Sequence, residues 1–408
     1  GAGQGGDAGA GGAGQGGAGA GGDAGTGGAG GNGGNGGGAA GSGGQGCPVA
    51  GAAGAGGNGG GGGALPPAPG TVFASGQNNV AQMVSDGTSL FWVVAGTPGA
   101  CFADGKVLSC PLAGCDTPTV LAANQAKPEH LSLPDENINA VGLADDNVYW
   151  TTSLGGEVKK CGKTGCGGAP TVIAQGQKAP AGLATTLSLP KANSAAEPVV
   201  MWASFEGNQV MRCSTDPAKC ASAGPAVAAD GLAGPSYLVS GNSFTYWLEN
   251  GATEGAGRLT RLTKTGGAVT TLEPGFGRFS RVVLSFAILF AVDRGTAAEQ
   301  YQNGRLVIVN PTSGAVIDRV EAQPNTFDVL ADANYVYWNS NGTLFYCPDA
   351  GCLGAAPQVV PDGVGVGSGP LLDRGDSIYF ARDGEIRRIA KPAPPSPPTV
   401  ARRRPLSD

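Results

Sequence analysis

Ten cysteines and a single histidine carry most of the reactive chemistry in this 408-residue chain. Cys110-Pro-Leu-Ala-Gly-Cys115, Cys161-Gly-Lys-Thr-Gly-Cys166 and Cys347-Pro-Asp-Ala-Gly-Cys352 share one spacing, and Cys213 with Cys220 is a looser version. Paired cysteines either ligate zinc or oxidise to a disulfide. Zinc needs two pairs converging on one ion, whereas these pairs fall in separate sequence repeats, and the only imidazole is His130. Glycine directly before the second cysteine suggests a tight turn between two strands, which a disulfide would staple. Closing so short a loop is worth about 2 kcal/mol in the chain-entropy model. We therefore expect disulfides, and with them an oxidising compartment and a secreted or surface protein. Cys47 and Cys101 are left over; they pair with each other, or Cys47 bonds another molecule.

The other candidates lie in two insertions. The first, Lys127-Pro-Glu-His-Leu-Ser-Leu-Pro-Asp-Glu-Asn137, reads as a polar loop between the last strand of one unit and the first strand of the next. It offers Glu129, His130, Asp135 and Glu136 to a ligand. Asp135, Glu136, Asn137 and Asn139 are also oxygen donors suited to calcium, but the glycine and spacing of a known calcium loop are missing, so no metal is assigned. The second insertion, Asp293 to Asn303, joins a second to a third strand and is expected on the same rim, where Arg294, Glu299 and Tyr301 would help form a binding mouth. The competing reading of both insertions is solvated loop. One histidine leaves no evident acid–base pair. P-loop, GxSxG and paired-carboxylate motifs are absent from the sequence, and no cofactor is implied.

What must position these residues is an array of short strands. An aromatic pair returns roughly every 50 residues, the mark of a blade array: Phe91-Trp92, Tyr149-Trp150, Met201-Trp202, Tyr246-Trp247, the weaker Phe290-Ala291, Tyr337-Trp338 and Tyr379-Phe380. In the second unit, Asn139–Ala144 reads as a short apolar strand and Asp145-Asp146-Asn147 as a turn. Val148–Thr152 then forms an aromatic and β-branched strand, Glu157–Cys161 a third and Pro170–Ala174 a fourth. Four antiparallel strands per repeat make one propeller blade. On adjacent strand positions one ring of each pair would face each neighbouring blade. Seven pairs predict seven blades. Thr71–Ala74 looks like a fourth strand placed ahead of the first blade and is expected to complete the last, joining the chain ends; Pro398–Ala401 is the rival for that slot.

Composition sets the limits around the array. Thirty-six of the first 64 residues are Gly, too few side chains to offset the entropy of ordering, so 1–64 is expected to be a disordered Gly/Ala-rich linker. Residues 65–391 read as the propeller and 392–408 as a Pro-rich basic tail. No apolar run is long enough for a transmembrane helix. A net charge of −6 implies no nucleic-acid partner. The chain opens on Gly1 rather than Met, so a preceding segment is expected.

The Asp145-to-Thr151 unit, Asp-x-x-x-Tyr-Trp-Thr, resembles the YWTD and NHL groups of β-propellers. The fuller unit, from Val148-Tyr-Trp through Cys161 and Cys166 to Pro170-Thr-Val-Ile-Ala, resembles cysteine-paired propeller repeats of myxobacterial-type cell-surface proteins and lipoproteins. The resemblance implies an all-β, seven-bladed propeller at the cell surface, with a lipid anchor upstream of residue 1, and it carries over no catalytic residue. Seven-bladed propellers of similar shape include streptogramin-type lyases, which use His with Glu and a metal. The leading expectation is a binding module for an extracellular glycan, peptide or envelope partner. A rim- or channel-site hydrolase or lyase is the alternative, and a passive structural head is the third.

Overall fold

A computed structural model describes residues 68–134, 145–188, 197–277, 281–285 and 288–394. These form seven four-stranded antiparallel sheets, each a blade. Blade 1 is representative: inner strand Val80–Ser85, second Ser89–Val94, third Gly105–Pro111, outer Thr119–Gln125. The chain then repeats this order around the ring. In blade 7 the inner three strands, Leu371–Arg374, Ser377–Arg382 and Glu385–Ala390, are completed by Thr71–Ser75 on the outside. The N-terminal strand therefore fills the closing slot, and Pro398–Ala401 lies outside the described residues. The tether assigned to 1–64 also lies outside them.

The aromatic pairs do the packing expected of them. Alternate strand residues point to opposite faces, so each pair serves two seams. Phe91 of blade 1 meets Trp150 of blade 2. Tyr149 meets Trp202, Met201 meets Trp247, and Tyr337 meets Phe380. The last seam closes the ring, with Tyr379 of blade 7 packed in one cluster with Trp92 of blade 1. All five Trp side chains are fully buried.

Among the described residues eight cysteines pair as the disulfides Cys110–Cys115, Cys161–Cys166, Cys213–Cys220 and Cys347–Cys352. Each sits within one blade, which overturns the zinc alternative for these cysteines. Each packs on the outer strand of the blade before it: Cys161 against Leu121 and Ala122, Cys213 and Cys220 against Ile173 and Ala174. The looser third pair has a helical turn in its loop, Pro217–Ala223, started by Asp216, whose carboxylate accepts from the Ala218 N–H at 2.9 Å. Cys101 is disulfide-bonded; Cys47 lies outside the described residues.

One expectation is corrected. The inner strand of blade 2 is Pro128–Ser132, not Asn139–Ala144; the latter segment lies outside the described residues. Pro128-Glu-His-Leu-Ser is polar enough to read as a loop. It is a strand because its polar side chains find places inside the ring: His130 lines the central channel, Glu129 pairs with Lys127 and Ser132 shares a hydrogen bond with Thr185.

Candidate functional site

The inner strand enters the channel in the same way in blades 1, 2, 3, 4 and 6. A left-handed residue precedes it: Asn79 (φ 57°), Lys127 (57°), Ala179 (44°), Gly234 (63°) and Asn325 (54°). A register shift follows within its first residues in blades 1, 2, 3, 4 and 6. Such a bulge bends the strand and re-aims a side chain. Gln82, His130, Gly182, Tyr237 and Asp328 all occupy the third position of their inner strands, and Arg281 opens the described part of the fifth. Gln82, His130, Gly182, Tyr237 and Arg281 line a channel cavity of about 330 Å³ to which all seven inner strands contribute. The remaining lining is largely aliphatic, including Leu131, Leu183, Leu238, Leu330 and Leu371.

His130 is thus a channel residue and not part of a surface loop. Its ring meets Tyr237 edge-on at 5.2 Å between centroids, although blade 3 separates their blades. Gly182 of blade 3 permits this approach, since a Cβ there would lie 2.8 Å from the Tyr237 backbone nitrogen. The Arg281 guanidinium sits 6.0 Å from the Tyr237 ring centre and places Nε 2.8 Å from Asp328 Oδ1. Asp328 Oδ2 in turn accepts from the Leu371 N–H at 2.8 Å, so one carboxylate ties blades 5, 6 and 7 together. Gln82 accepts from the Leu131 N–H at 2.9 Å across the first seam. Burial, reinforced by the charges of Arg281 and Lys127, depresses the His130 pKa to about 3. The imidazole is therefore neutral at physiological pH. Burial also lifts the Tyr237 phenol to about 12, leaving it a protonated hydrogen-bond donor.

The other predicted residues divide. Glu129 is buried beside Lys127, whose Nζ lies 3.0 Å from Oε1, and burial raises its carboxyl pKa; it does not line the cavity. Arg294 and Tyr301 are brought together, with the guanidinium stacked between the Tyr301 and Phe327 rings at 4.3 and 4.5 Å. Arg294 Nε also donates to Asn325 Oδ1 at 2.9 Å, and only 8% of the residue is exposed. This arginine anchors the insertion to the channel-entry strand of blade 6 and does not reach outward. Glu299 is exposed and joins neither group. Asp135, Glu136, Asn137 and Asn139 lie outside the described residues. Their segment joins an inner to a second strand, whereas 294–304 joins a second to a third. In an antiparallel blade the described ends of the first connection, after Ser132 and before Asn147, lie on the rim opposite 294–304, so the expectation of a shared rim is corrected. Among the described residues, no cluster of three or more His, Cys, Asp or Glu is placed to hold a metal ion.

Tyr237, Arg281 and Asp328 were missed by sequence reasoning. A signal existed for one of them: Pro128-Glu-His-Leu, Pro180-Ala-Gly-Leu and Pro235-Ser-Tyr-Leu repeat the same inner-strand entry, with the channel residue third. Blades 5 and 6 lack that proline, and nothing in sequence marks Arg281 or Asp328.

No family model and no curated protein matches the sequence. Solved structures match at the level of fold. Virginiamycin B lyase from Staphylococcus aureus is 14% identical, with a TM-score of 0.54 over 78% of this chain and 97% of that one. Kuenenia stuttgartiensis hydrazine synthase is 12% identical, also at 0.54, over 81% and 98%. A chain of the nidogen/laminin complex is 17% identical over 61% and 88%, at a TM-score of 0.43. The two likenesses at 0.54 agree with the β-propeller fold and show nothing finer. Among the described residues no helix is long and apolar enough to cross a membrane.

Proposed function

We propose that this protein is an extracellular binding propeller that takes a side chain of a peptide, or a sugar unit of a glycan, into the channel at His130, Tyr237 and Arg281. The observation that carries this reading is the cavity itself. Its volume, about 330 Å³, is within the range of ligand pockets, and an aliphatic wall with a few convergent polar groups is their usual lining. Tyr237 brings an aromatic edge and a phenolic donor, His130 a neutral ring with one donor and one acceptor, and Arg281 a cation held in place by Asp328. The same chemistry argues for binding over proton transfer. A general base works best with a pKa near the operating pH, and His130 is held near 3.

The four disulfides support an oxidising, extracellular setting. In this reading 65–391 are the binding head, flanked by 1–64 and 392–408. The test is a glycan and peptide array probed with the full chain, followed by affinity measurement on Tyr237→Ala and Glu299→Ala. Tyr237→Ala is expected to weaken binding at least about tenfold, a loss of about 1.4 kcal/mol, and Glu299→Ala to leave it unchanged. A ligand indifferent to Tyr237→Ala overturns the channel site. Turnover of a bound ligand returns the lyase or hydrolase reading.

A further inference from the structure

On the rim opposite His130, three blades place a lysine at one and the same position. Lys163, Lys264 and Lys391 each follow the third strand, two residues after Cys161, Leu262 and Ile389. Their backbone N–H groups donate to equivalent carbonyls, Asp146 at 2.8 Å, Ser243 at 2.9 Å and Asp376 at 2.8 Å. Each side chain reaches across a seam to the residue that follows the inner-strand position paired two places before the Trp site. In two seams that residue is an aspartate. Lys163 Nζ lies 3.5 Å from Asp86 Oδ2, and Lys391 Nζ lies 3.0 Å from Asp332 Oδ2 and also pairs with Asp373. In the third seam the position holds Thr186, and Lys264 Nζ donates to its hydroxyl at 2.6 Å.

The exchange of Asp for Thr leaves a half-buried cation with no carboxylate partner among the described residues. Ser240 also donates to Thr186 Oγ1, at 3.0 Å. A hydroxyl that accepts twice still has its own proton to give, and the ammonium has two further N–H groups. Three donors therefore converge beside one uncompensated charge. The flanking connection 241–243 contains no Asp or Glu. The electrostatics separate the two kinds of seam. Burial alone depresses Lys264 to about 8. Burial also opposes the charge on Lys391, but its bonds to Asp373 and Asp332 more than reverse this and raise its pKa.

We propose that Lys264 and Thr186, the latter oriented by Ser240, form a binding site for the carboxylate of an acidic ligand, the bound anion taking the place that Asp86 and Asp332 hold in the other two seams. None of the three residues lines the channel cavity, and the site stands independently of the function proposed above.

The experiment is competitive lysine labelling of the full chain with an amine-reactive succinimidyl ester at pH 8, read residue by residue by mass spectrometry. Sodium acetate is compared with sodium chloride at equal ionic strength. Labelling of Lys264 is expected to slow about tenfold at acetate about ten times its dissociation constant, while Lys163 and Lys391 respond equally to both salts. Thr186→Asp should protect Lys264 without acetate and abolish the difference between the salts. Should that variant fold poorly, Lys264→Gln provides the second reading: acetate stabilises the wild-type chain against heat more than chloride does, and the variant shows no such difference. Equal labelling of Lys264 in acetate and chloride overturns the proposal, as does an acetate-specific stabilisation that survives Lys264→Gln.

Discussion

Blades 1, 2, 3 and 6 are held together differently from blades 4, 5 and 7. In the first group the indole N–H of each Trp donates to a glutamine that ends the preceding blade: Trp92 to Gln77 at 2.8 Å, Trp150 to Gln125 at 3.2 Å, Trp202 to Gln177 at 3.0 Å and Trp338 to Gln323 at 2.9 Å. The amide nitrogen of each glutamine donates to a carbonyl two residues back, which fixes its orientation. The same four blades carry the four disulfides. In blade 4 the slot of the glutamine holds Leu232, and the Trp247 indole nitrogen is buried without a partner. Blades 5 and 7 have Ala291 and Phe380 at the Trp site, and nothing there calls for an acceptor. Where blades 4, 5 and 7 lack a disulfide, the place of the first cysteine is taken by an aliphatic residue, Leu262, Val309 or Ile389.

The less stapled blades rely more on ion pairs. Glu273 of blade 4 receives Arg319 through two bonds, at 3.1 and 3.0 Å, and Arg305 at 3.4 Å, both from blade 5. Arg305 also approaches Asp293 at 3.5 Å. One architecture thus tolerates two kinds of seam, because the aromatic and aliphatic filling common to both supplies most of the burial. The staple and clamp are additions that act on a seam already closed.

The largest test of this contrast is reduction. Opening the four short loops is expected to cost about 2 kcal/mol each. Urea unfolding with and without a thiol reductant, followed by hydrogen exchange, should show protection falling first in blades 1, 2, 3 and 6. Uniform loss around the ring would mean the seams unfold as one unit and the contrast is only local. The clamp comes next. Gln125→Leu should destabilise by about 1–3 kcal/mol, because it strands a buried indole N–H. Leu232→Gln should gain about 1 kcal/mol by giving Trp247 a partner. If both changes are neutral in denaturant titration, buried water already serves these indoles and the difference between the blade groups is one of sequence only.

The smallest expected effect is that of acid on His130. Its folded pKa, about 3, lies below the unfolded value of 6.5. The unfolded chain therefore binds the extra proton, and stability present above pH 6.5 is lost as pH falls. Between pH 7 and 6 the loss is at most about 0.7 kcal/mol, less where channel water screens the ring. His130→Asn should remove that part of the pH slope. An unchanged slope would show that the imidazole titrates as if exposed.

The blade count, the strand that closes the ring and the four disulfides were legible because each rests on local chemistry repeated at a fixed place. The inner strands were not. Pro128–Ser132 carries Glu129 and His130, and a polar pentapeptide looks like a loop unless one knows that its side chains have partners inside the ring. That misreading also put His130 on a rim and the two insertions on the same side. The glutamine clamp was readable in principle: Gln125-Ala-Lys-Pro and Gln177-Lys-Ala-Pro repeat ahead of the inner strands. Its partner, a Trp 25 residues later, becomes evident only once the seam is seen.

By itself, then, the sequence determined the architecture, since an aromatic pair on alternating strand faces can be buried on both sides only if a neighbouring sheet lies on each side. It also determined the staples, because two cysteines across one short turn are near each other in any fold that keeps the turn. Tertiary structure decided the rest. His130 meets Tyr237, Arg281 meets Asp328, and Lys264 faces Thr186 and not an aspartate, across gaps of roughly 50 to 110 residues. Such meetings depend on how far the ring turns from blade to blade and on where each bulge aims its side chain, and neither is encoded in any single repeat.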